Sequence, residues 1–206
     1  MIENYRFDKM RVSAFQLAKQ GETQCGDSYY MMETNDYFLC MLADGLGSGP
    51  DAKKASQKAV SIVRENPDDD VETLVEKCNC GLRNERGAVL SVFKIDFHKG
   101  LLEFSGVGNI RFVFYPPNEK AVYPIPKIGF LSGKRFSARV QTFSFPKHSS
   151  FVIYSDGLGS VGAKYPSSCM NVTDVERISE CVAAYVMDDA RSSDDVTFIV
   201  GKNVSE

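Results

Sequence analysis

Histidine is scarce in this chain, which has only two among its 206 residues. His98 and His148 both stand in turn-like contexts, next to lysine and close to glycine, proline or serine. Neither histidine lies beside the acidic clusters of the sequence. Carboxylates without imidazole partners favour hard ions over zinc or copper. If the acidic clusters hold a metal, we therefore expect Mg²⁺, Mn²⁺ or Ca²⁺.

Clustered basic residues and long apolar runs are also missing. The 24 lysines and arginines are scattered and nearly balance the 27 acidic residues, which leaves a net charge of −3. A nucleic-acid-binding surface needs concentrated positive charge, so we expect no nucleic acid partner. No apolar stretch is long enough to span a membrane, and the amino end lacks the continuous apolar region of a signal peptide. We therefore expect no membrane association.

Cysteine is present but does not follow a disulfide pattern. The six cysteines mostly lie within apolar or helical patterns: Cys25, Cys40, Cys78, Cys80, Cys169 and Cys181. A domain of this length can bury enough core to fold without disulfides. We therefore expect reduced thiols and a cytoplasmic location.

Four acidic clusters are the most informative feature, and we interpret each as the downstream end of a short apolar run. They are Gly26-Asp27, Ala43-Asp44-Gly45, Ser155-Asp156-Gly157 and Ser193-Asp194-Asp195. Carboxylates that are brought together repel one another, so such a group requires protons, basic partners or a cation. The alternative is that the Asp-Gly pairs only make turns. Residues 38–43 and 151–154 are unbroken apolar runs, each followed shortly by the sequence Asp-Gly-Leu-Gly-Ser. This shared pattern favours an all-carboxylate metal site over turns alone.

Hydrophobic periodicity predicts two packed sheets with helices outside. Period-two and unbroken apolar patterns predict strands at 12–18, 29–33, 37–42, 88–97, 101–106, 110–115, 138–145, 151–154 and 196–200. Helical spacing predicts helices at about 50–63, 71–82 and 175–187. This order lacks the strict alternation of a doubly wound sheet. The glycine-rich segment 45–50 resembles a dinucleotide-binding loop only superficially, because Pro50 stands where that motif has glycine.

The ordered set of motifs resembles that of the metal-dependent serine/threonine protein phosphatase (PPM) family. The matching segments are Gly26-Asp27, Asp44-Gly45, Val107-Gly108-Asn109-Ile110-Arg111, Ser155-Asp156-Gly157 and Asp194-Asp195-Val196-Thr197. The match runs nearly end to end, and it is the order of the set that is specific. The resemblance implies one phosphatase domain over residues 1–206. Its fold class would be α+β, a four-layer α-β-β-α sandwich of two mainly antiparallel sheets flanked by helix pairs.

The resemblance also implies a site with two Mn²⁺ or Mg²⁺ ions. Asp44 is expected to bridge the ions, the Gly45 carbonyl to ligate one, and Asp156 and Asp194 to ligate the other. Asp27 is expected to hold a water bound to the metal. We take Asp44, Asp156 and Asp194 as the catalytic ligands. The remaining matching residues, Asn109, Arg111 and Asp195, are expected to support the ligands or to contact the substrate. The alternatives are that Asp195 is a simple strand-entry residue and that Arg111 forms an ion pair in the scaffold.

Three positions depart from the larger family members. Glu22 stands where those enzymes carry a phosphate-binding arginine, so the substrate phosphate must be held in another way. Leu46 stands where they carry a histidine proposed as general acid. Asn109 replaces an aspartate, which weakens the case for a third metal. We therefore expect two ions only.

The activity implied is hydrolysis of phosphoserine or phosphothreonine on regulatory proteins. The resemblance implies STAS-domain partners in a stressosome complex and feedback regulation of the general stress response. The alternative is a catalytically inactive binding module on the phosphatase fold, and a structural calcium site is a third possibility. We expect a monomer.

Overall fold

Two five-stranded antiparallel sheets pack face to face in the computed structural model, which describes residues 1–159, 174–188 and 194–205. The first sheet has the strand order β1-β2-β10-β9-β7, and the second has the order β3-β4-β5-β6-β8. The strands of the first sheet are β1 Ile2–Arg6, β2 Met10–Leu17, β10 Val196–Asn203, β9 Ser150–Tyr154 and β7 Arg111–Tyr115. Those of the second are β3 Asp27–Glu33, β4 Tyr37–Gly45, β5 Ala88–Asp96, β6 Leu101–Val107 and β8 Gln141–Ser144.

Helices cover the outer faces of both sheets. Helices α1 (Pro50–Glu65) and α2 (Val71–Gly81) pack on the second sheet, and helix α3 (Val175–Asp188) packs on the first. The predicted α-β-β-α layering is thus confirmed. Within the described residues the outer face of the first sheet carries one helix rather than a pair.

The central strands are apolar on both faces because each face meets a different layer. In β4, Phe38, Cys40 and Leu42 belong to the core between the sheets. The intervening Leu39, Met41 and Ala43 belong to the core beneath α1 and α2. A strand buried on both sides reads as an unbroken hydrophobic run, which is why the sequence revealed it.

Stacked phenylalanines fill the space between the sheets. Phe93 of the second sheet packs against Phe112 and Phe151 of the first, with ring centroids 4.6 and 4.9 Å apart. Phe104 also stacks on Phe112, with ring centroids 5.1 Å apart. Offset and edge-on aromatic pairs at these distances stabilise a core beyond the area they bury. This core fixes the two sheets against one another and therefore fixes the ends of their strands.

The helices begin where the sequence supplies a start signal. Pro50 is the first residue of α1, a position that tolerates its missing N–H. Asp70 caps α2, and its side chain accepts a hydrogen bond of 2.8 Å from the backbone N–H of Thr73. That contact lowers the pKa of Asp70, because the N–H stabilises the ionised carboxylate.

The cysteines within the described ranges are free, as expected. Cys25, Cys40 and Cys78 are buried, whereas Cys80 and Cys181 are exposed. Cys169 lies outside the described residues. Among the helices described here, none is long and apolar enough to cross a membrane.

Candidate metal centre

The acidic clusters meet at one end of the sandwich because neighbouring strands run in opposite directions. Asp44 lies at the end of β4, directly opposite Asp27 at the start of β3. Asp156 follows β9, whose neighbour β10 is preceded by Asp194. The prediction that every cluster follows its apolar run is therefore wrong for Asp27 and Asp194. In antiparallel neighbours the end of one strand adjoins the start of the next, so both arrangements deliver carboxylates to the same edge.

Asp27 is buried, with 0% of its surface exposed. Within the described part of the chain, neither of its carboxylate oxygens has a hydrogen-bond partner of good geometry. Its backbone carbonyl is fixed instead, accepting from Lys53 Nζ at 2.7 Å and from Gln16 Nε2 at 3.4 Å. A buried carboxylate without donors is costly unless something else neutralises it. The backbone of Asp27 is thus held in place, whereas its buried carboxylate lacks a well-placed donor.

Burial and mutual repulsion raise the pKa values of the carboxylates in this cluster. The pKa of Asp44 is raised, first by burial and then by the charges of Asp27, Asp156, Asp194 and Asp195. Burial also raises the pKa of Asp27, and nearby hydroxyl groups offset part of this rise. Burial and Asp194 also raise the pKa of Asp156. Three acids with raised pKa values in one cluster indicate a site built for a positive charge.

Asp195 is buried beside the predicted ligands and links neighbouring segments by hydrogen bonds. It is 3% exposed, and its carboxylate accepts a 2.9 Å hydrogen bond from the backbone N–H of Lys19. Its own backbone N–H donates to Asp194 Oδ1 at 2.9 Å. A side chain on Gly26 would bring its Cβ within 2.7 Å of Asp195 Oδ2, so the glycine before Asp27 leaves room for this carboxylate. These contacts tie Asp195, the residue directly before β10, to the backbone of Lys19 and to Asp194.

Asn109 and Arg111 differ in their position relative to the site. Asn109 Nδ2 donates to Asp156 Oδ2 at 2.6 Å, which orients this predicted ligand. Arg111 is exposed and pairs across the sheet with Tyr154. Burial raises the pKa of Tyr154, and the charge of Arg111 offsets part of that rise. It is not among the residues that line the cavity described below. The structure thus places Asn109 in the site and Arg111 beside it, against the outer face of the first sheet.

A cavity of about 640 Å³ opens over the carboxylates. Four predicted site residues line it together with Asn109: Asp44, Gly45, Asp156 and Asp194. Val89 of β5 and a set of loop residues complete the lining, the latter being Lys19, Leu46, Gly47, Ser48, Gly108, Ile128, Gly129 and Phe130. The volume suits a small phosphorylated group together with ions.

The donor set fits Mg²⁺ or Mn²⁺. As the side chains stand in the described residues, no three acidic, histidine or cysteine groups already converge at metal-ligand distances. The unpartnered oxygens of Asp27 and the carboxylates lining the cavity are nevertheless the hard oxygen ligands that these ions select. The fit therefore rests on the chemistry and placement of the donors.

Sequence reasoning missed the residues that support the site. Gln16, Lys53 and Ser56 hold the backbone of residues 26 and 27 through side-chain hydrogen bonds, and Lys19 holds Asp195. These residues come from β2, the loop after it and α1, which are distant from the ligands in sequence. No local motif marks them, so only the packing of α1 and β2 against β3 reveals their role.

Comparison with known proteins identifies relatives of the whole chain. The family model for stage II sporulation protein E (SpoIIE) matches residues 34–202. The phosphoserine phosphatase RsbX of Bacillus subtilis (strain 168) is 34% identical over 202 residues, which cover 98% of this chain and 99% of the relative. The crystal structure of RsbX in complex with magnesium superposes with a TM-score of 0.90 at 34% identity, covering 98% of this chain and 100% of that one.

Two further solved structures share the fold. One comes from work on the bacterial stressosome, a modular system adapted to control secondary messenger signalling; it has a TM-score of 0.84 at 25% identity and covers 94% of this chain and 100% of its own. The other is the catalytic domain of the serine/threonine phosphatase PstP with two manganese ions, which has a TM-score of 0.78 at 16% identity and covers 96% of this chain and 99% of its own. The chain belongs to the SpoIIE family of metal-dependent protein phosphatases.

Proposed function

We propose that this protein is a phosphoserine and phosphothreonine protein phosphatase with two Mn²⁺ or Mg²⁺ ions. The observation that carries the proposal is the pairing of Asp27 with Asp44 on adjacent strands, with the Asp27 oxygens buried and unpartnered. Asp156 and Asp194, next to strands of the other sheet, line one cavity together with Asp44. The likeness to RsbX over nearly the full length supports the same activity here.

The proposed ligands come from both sheets. Asp44, the Gly45 carbonyl, Asp156 and Asp194 would hold the two ions, with Asp44 as the shared ligand. Asp27 would hold a water bound to the metal. When bound, Mn²⁺ or Mg²⁺ lowers the pKa of water and neutralises negative charge on a phosphoryl group. Phosphoryl transfer depends mainly on positioning and charge, so the chain needs no nucleophilic side chain.

Other residues keep the ligands in position. Asn109 orients Asp156 by its hydrogen bond of 2.6 Å. Asp195 fixes the strand start beside Asp194 and is itself held by the Lys19 backbone. We assign these side chains positioning roles and assign Arg111 to the scaffold, since it lies outside the cavity lining.

The substrates are phosphorylated regulatory proteins. The proposed partners are STAS-domain proteins of a stressosome, and the proposed role is feedback control of a general stress response. The likeness to RsbX and to a structure from work on the bacterial stressosome supports this proposal. We further propose that residues 1–206 act as one domain and a monomer in the cytoplasm, without nucleic acid or membrane partners. Scattered positive charge and free cysteines support this assignment.

Phosphate release from a serine-phosphorylated protein tests the proposal. The wild type and Asp156→Asn are compared with Mn²⁺, Mg²⁺, Ca²⁺ and EDTA. We expect turnover with Mn²⁺ or Mg²⁺ that EDTA abolishes, and a loss of at least about a hundredfold in the variant without a loss of fold. The absence of turnover by the folded wild type under every metal would instead support the inactive binding module. Stabilisation by Ca²⁺ without turnover would support a structural calcium site.

A further inference from the structure

An unusual apolar surface borders the carboxylate cavity. Ile128 is 97% exposed and Phe130 is 47% exposed, yet both line the cavity that contains Asp44 and Asp156. We call these two side chains the apolar ledge. Single exposed apolar residues are common, but a pair at the edge of a functional cavity is a feature of recognition surfaces.

The ledge is held by backbone hydrogen bonds on both sides. Before it, Lys127 donates to the Gly106 carbonyl at 2.7 Å and accepts from the Gly108 N–H at 2.8 Å. After it, Leu131 and Ala88 exchange two bonds of 2.9 and 3.0 Å. Only three residues lie between these anchors. The exposed side chains therefore stand on a short clamped turn rather than on a loose loop.

The turn approaches the loop that carries the site. Gly129 has a φ of 119°, a conformation open to glycine and strained for other residues. A Cβ on Gly108 would lie 3.2 Å from the Gly129 carbonyl oxygen, so the absence of a side chain at Gly108 lets the two backbone segments approach closely. The residue after Gly108 is Asn109, which orients Asp156. The ledge is thus held close to the segment that orients Asp156.

We infer that the apolar ledge binds an apolar side chain next to the phosphoserine of the substrate protein, and so selects among phosphorylated sites. This inference rests on the proposed function. The occupant follows from the geometry of the cavity, because a chain that delivers its phosphoserine to Asp44 and Asp156 must lay its neighbouring residues along the cavity wall. Adjacent residues in an extended chain are only about 3.5 Å apart. A preformed wall also lowers the ordering cost of binding.

Two phosphoserine peptides test the inference. They are identical except that leucine flanks the phosphoserine in one and glutamine flanks it in the other. With Mn²⁺, we expect the wild type to hydrolyse the leucine peptide with a kcat/KM about tenfold higher, as partial burial of a leucine side chain predicts. The difference should lie mainly in KM, because the contact is made equally in the ground and transition states.

Variants locate the source of the preference. Ile128→Ser should reduce the ratio between the two peptides to about one. Phe130→Ser should also lower it. The matched control is Met187→Ser, since Met187 is 62% exposed on α3, at the outer layer of the sandwich. We expect that control to keep the wild-type ratio.

The outcomes separate this inference from the proposed function. Hydrolysis of both peptides at equal rates by the wild type would overturn the inference and leave the phosphatase assignment standing. If Ile128→Ser lowers kcat/KM equally for both peptides, the ledge only supports the site. That result would also overturn the inference. Self-association that Ile128→Ser abolishes, without any peptide preference, would assign the ledge to a second copy of the chain. Failure of the wild type to hydrolyse any phosphoserine probe would overturn the proposed function itself.

Discussion

Replacing Asp27 by asparagine should stabilise the metal-free protein. The carboxyl group is fully buried, and its pKa is raised by burial and by Asp195 and Asp156, against the opposing effect of nearby hydroxyl groups. The folded chain therefore retains this proton to a higher pH than the unfolded chain does. The contribution of Asp27 to the free energy of unfolding is therefore greatest below its unfolded pKa of about 3.9. This contribution is lost as the pH rises through the pKa of the folded state.

The magnitude follows from the charge that asparagine removes. Each unit by which the folded pKa exceeds the unfolded pKa costs about 1.4 kcal/mol once the pH is above both values. A neutral amide removes that cost, although its own burial offsets part of the gain. We expect Asp27→Asn to gain about 2 kcal/mol of stability near pH 8 without metal, roughly 4 to 8 °C in Tm for a chain of this size.

Thermal unfolding in EDTA measures this effect. The gain should shrink at about pH 5, where Asp27 of the folded wild type is largely protonated. Asp8 is exposed, so Asp8→Asn serves as the control and should change Tm little at either pH. A lower Tm for Asp27→Asn than for the wild type near pH 8 in EDTA would refute the reasoning. With Mn²⁺ the order should reverse, because the ion stabilises the wild type by mass action.

Two further substitutions test the scaffold around the site. Gly45→Ala would place a Cβ within 1.9 Å of the Ala52 carbonyl oxygen, so we expect a loss of more than about 3 kcal/mol in chemical denaturation; an unchanged midpoint would contradict this contact. Asp70→Ala removes the helix cap that accepts a hydrogen bond from Thr73, so we expect a loss of about 1 kcal/mol in stability. Activity per folded molecule should stay the same. A rise in Tm would contradict the capping role.

The core strands could be predicted because their two buried faces make them apolar throughout. β1 was missed because Glu3, Asn4 and Arg6 interrupt its pattern. It is an edge strand whose structure depends on pairing with β2, and such pairing leaves little local signal. The end of β4 was also predicted too early, because Asp44 and Gly45 continue the ladder to Ala88 despite their turn-forming character.

Asp44 and Asp156 could be proposed as ligands because aspartate next to glycine after an apolar run is a local signal, and both line one cavity. The supporting contacts were not found, because Lys53 and Gln16 reach Asp27 from other elements of the fold. The apolar ledge was missed for a similar reason. Ile128 and Phe130 resemble ordinary core residues in the sequence, and only the structure reveals their exposure.

The number of Mn²⁺ ions bound per chain tests the central claim most directly, that these carboxylates form a two-ion site. Calorimetric titration of the metal-free protein should give two ions for the wild type and for the Asp8→Asn control. Asp44→Asn should lose tight binding of both, because Asp44 is the proposed bridge. A wild type that binds no Mn²⁺, or an Asp44→Asn variant that still binds two ions with unchanged affinity, would contradict the account.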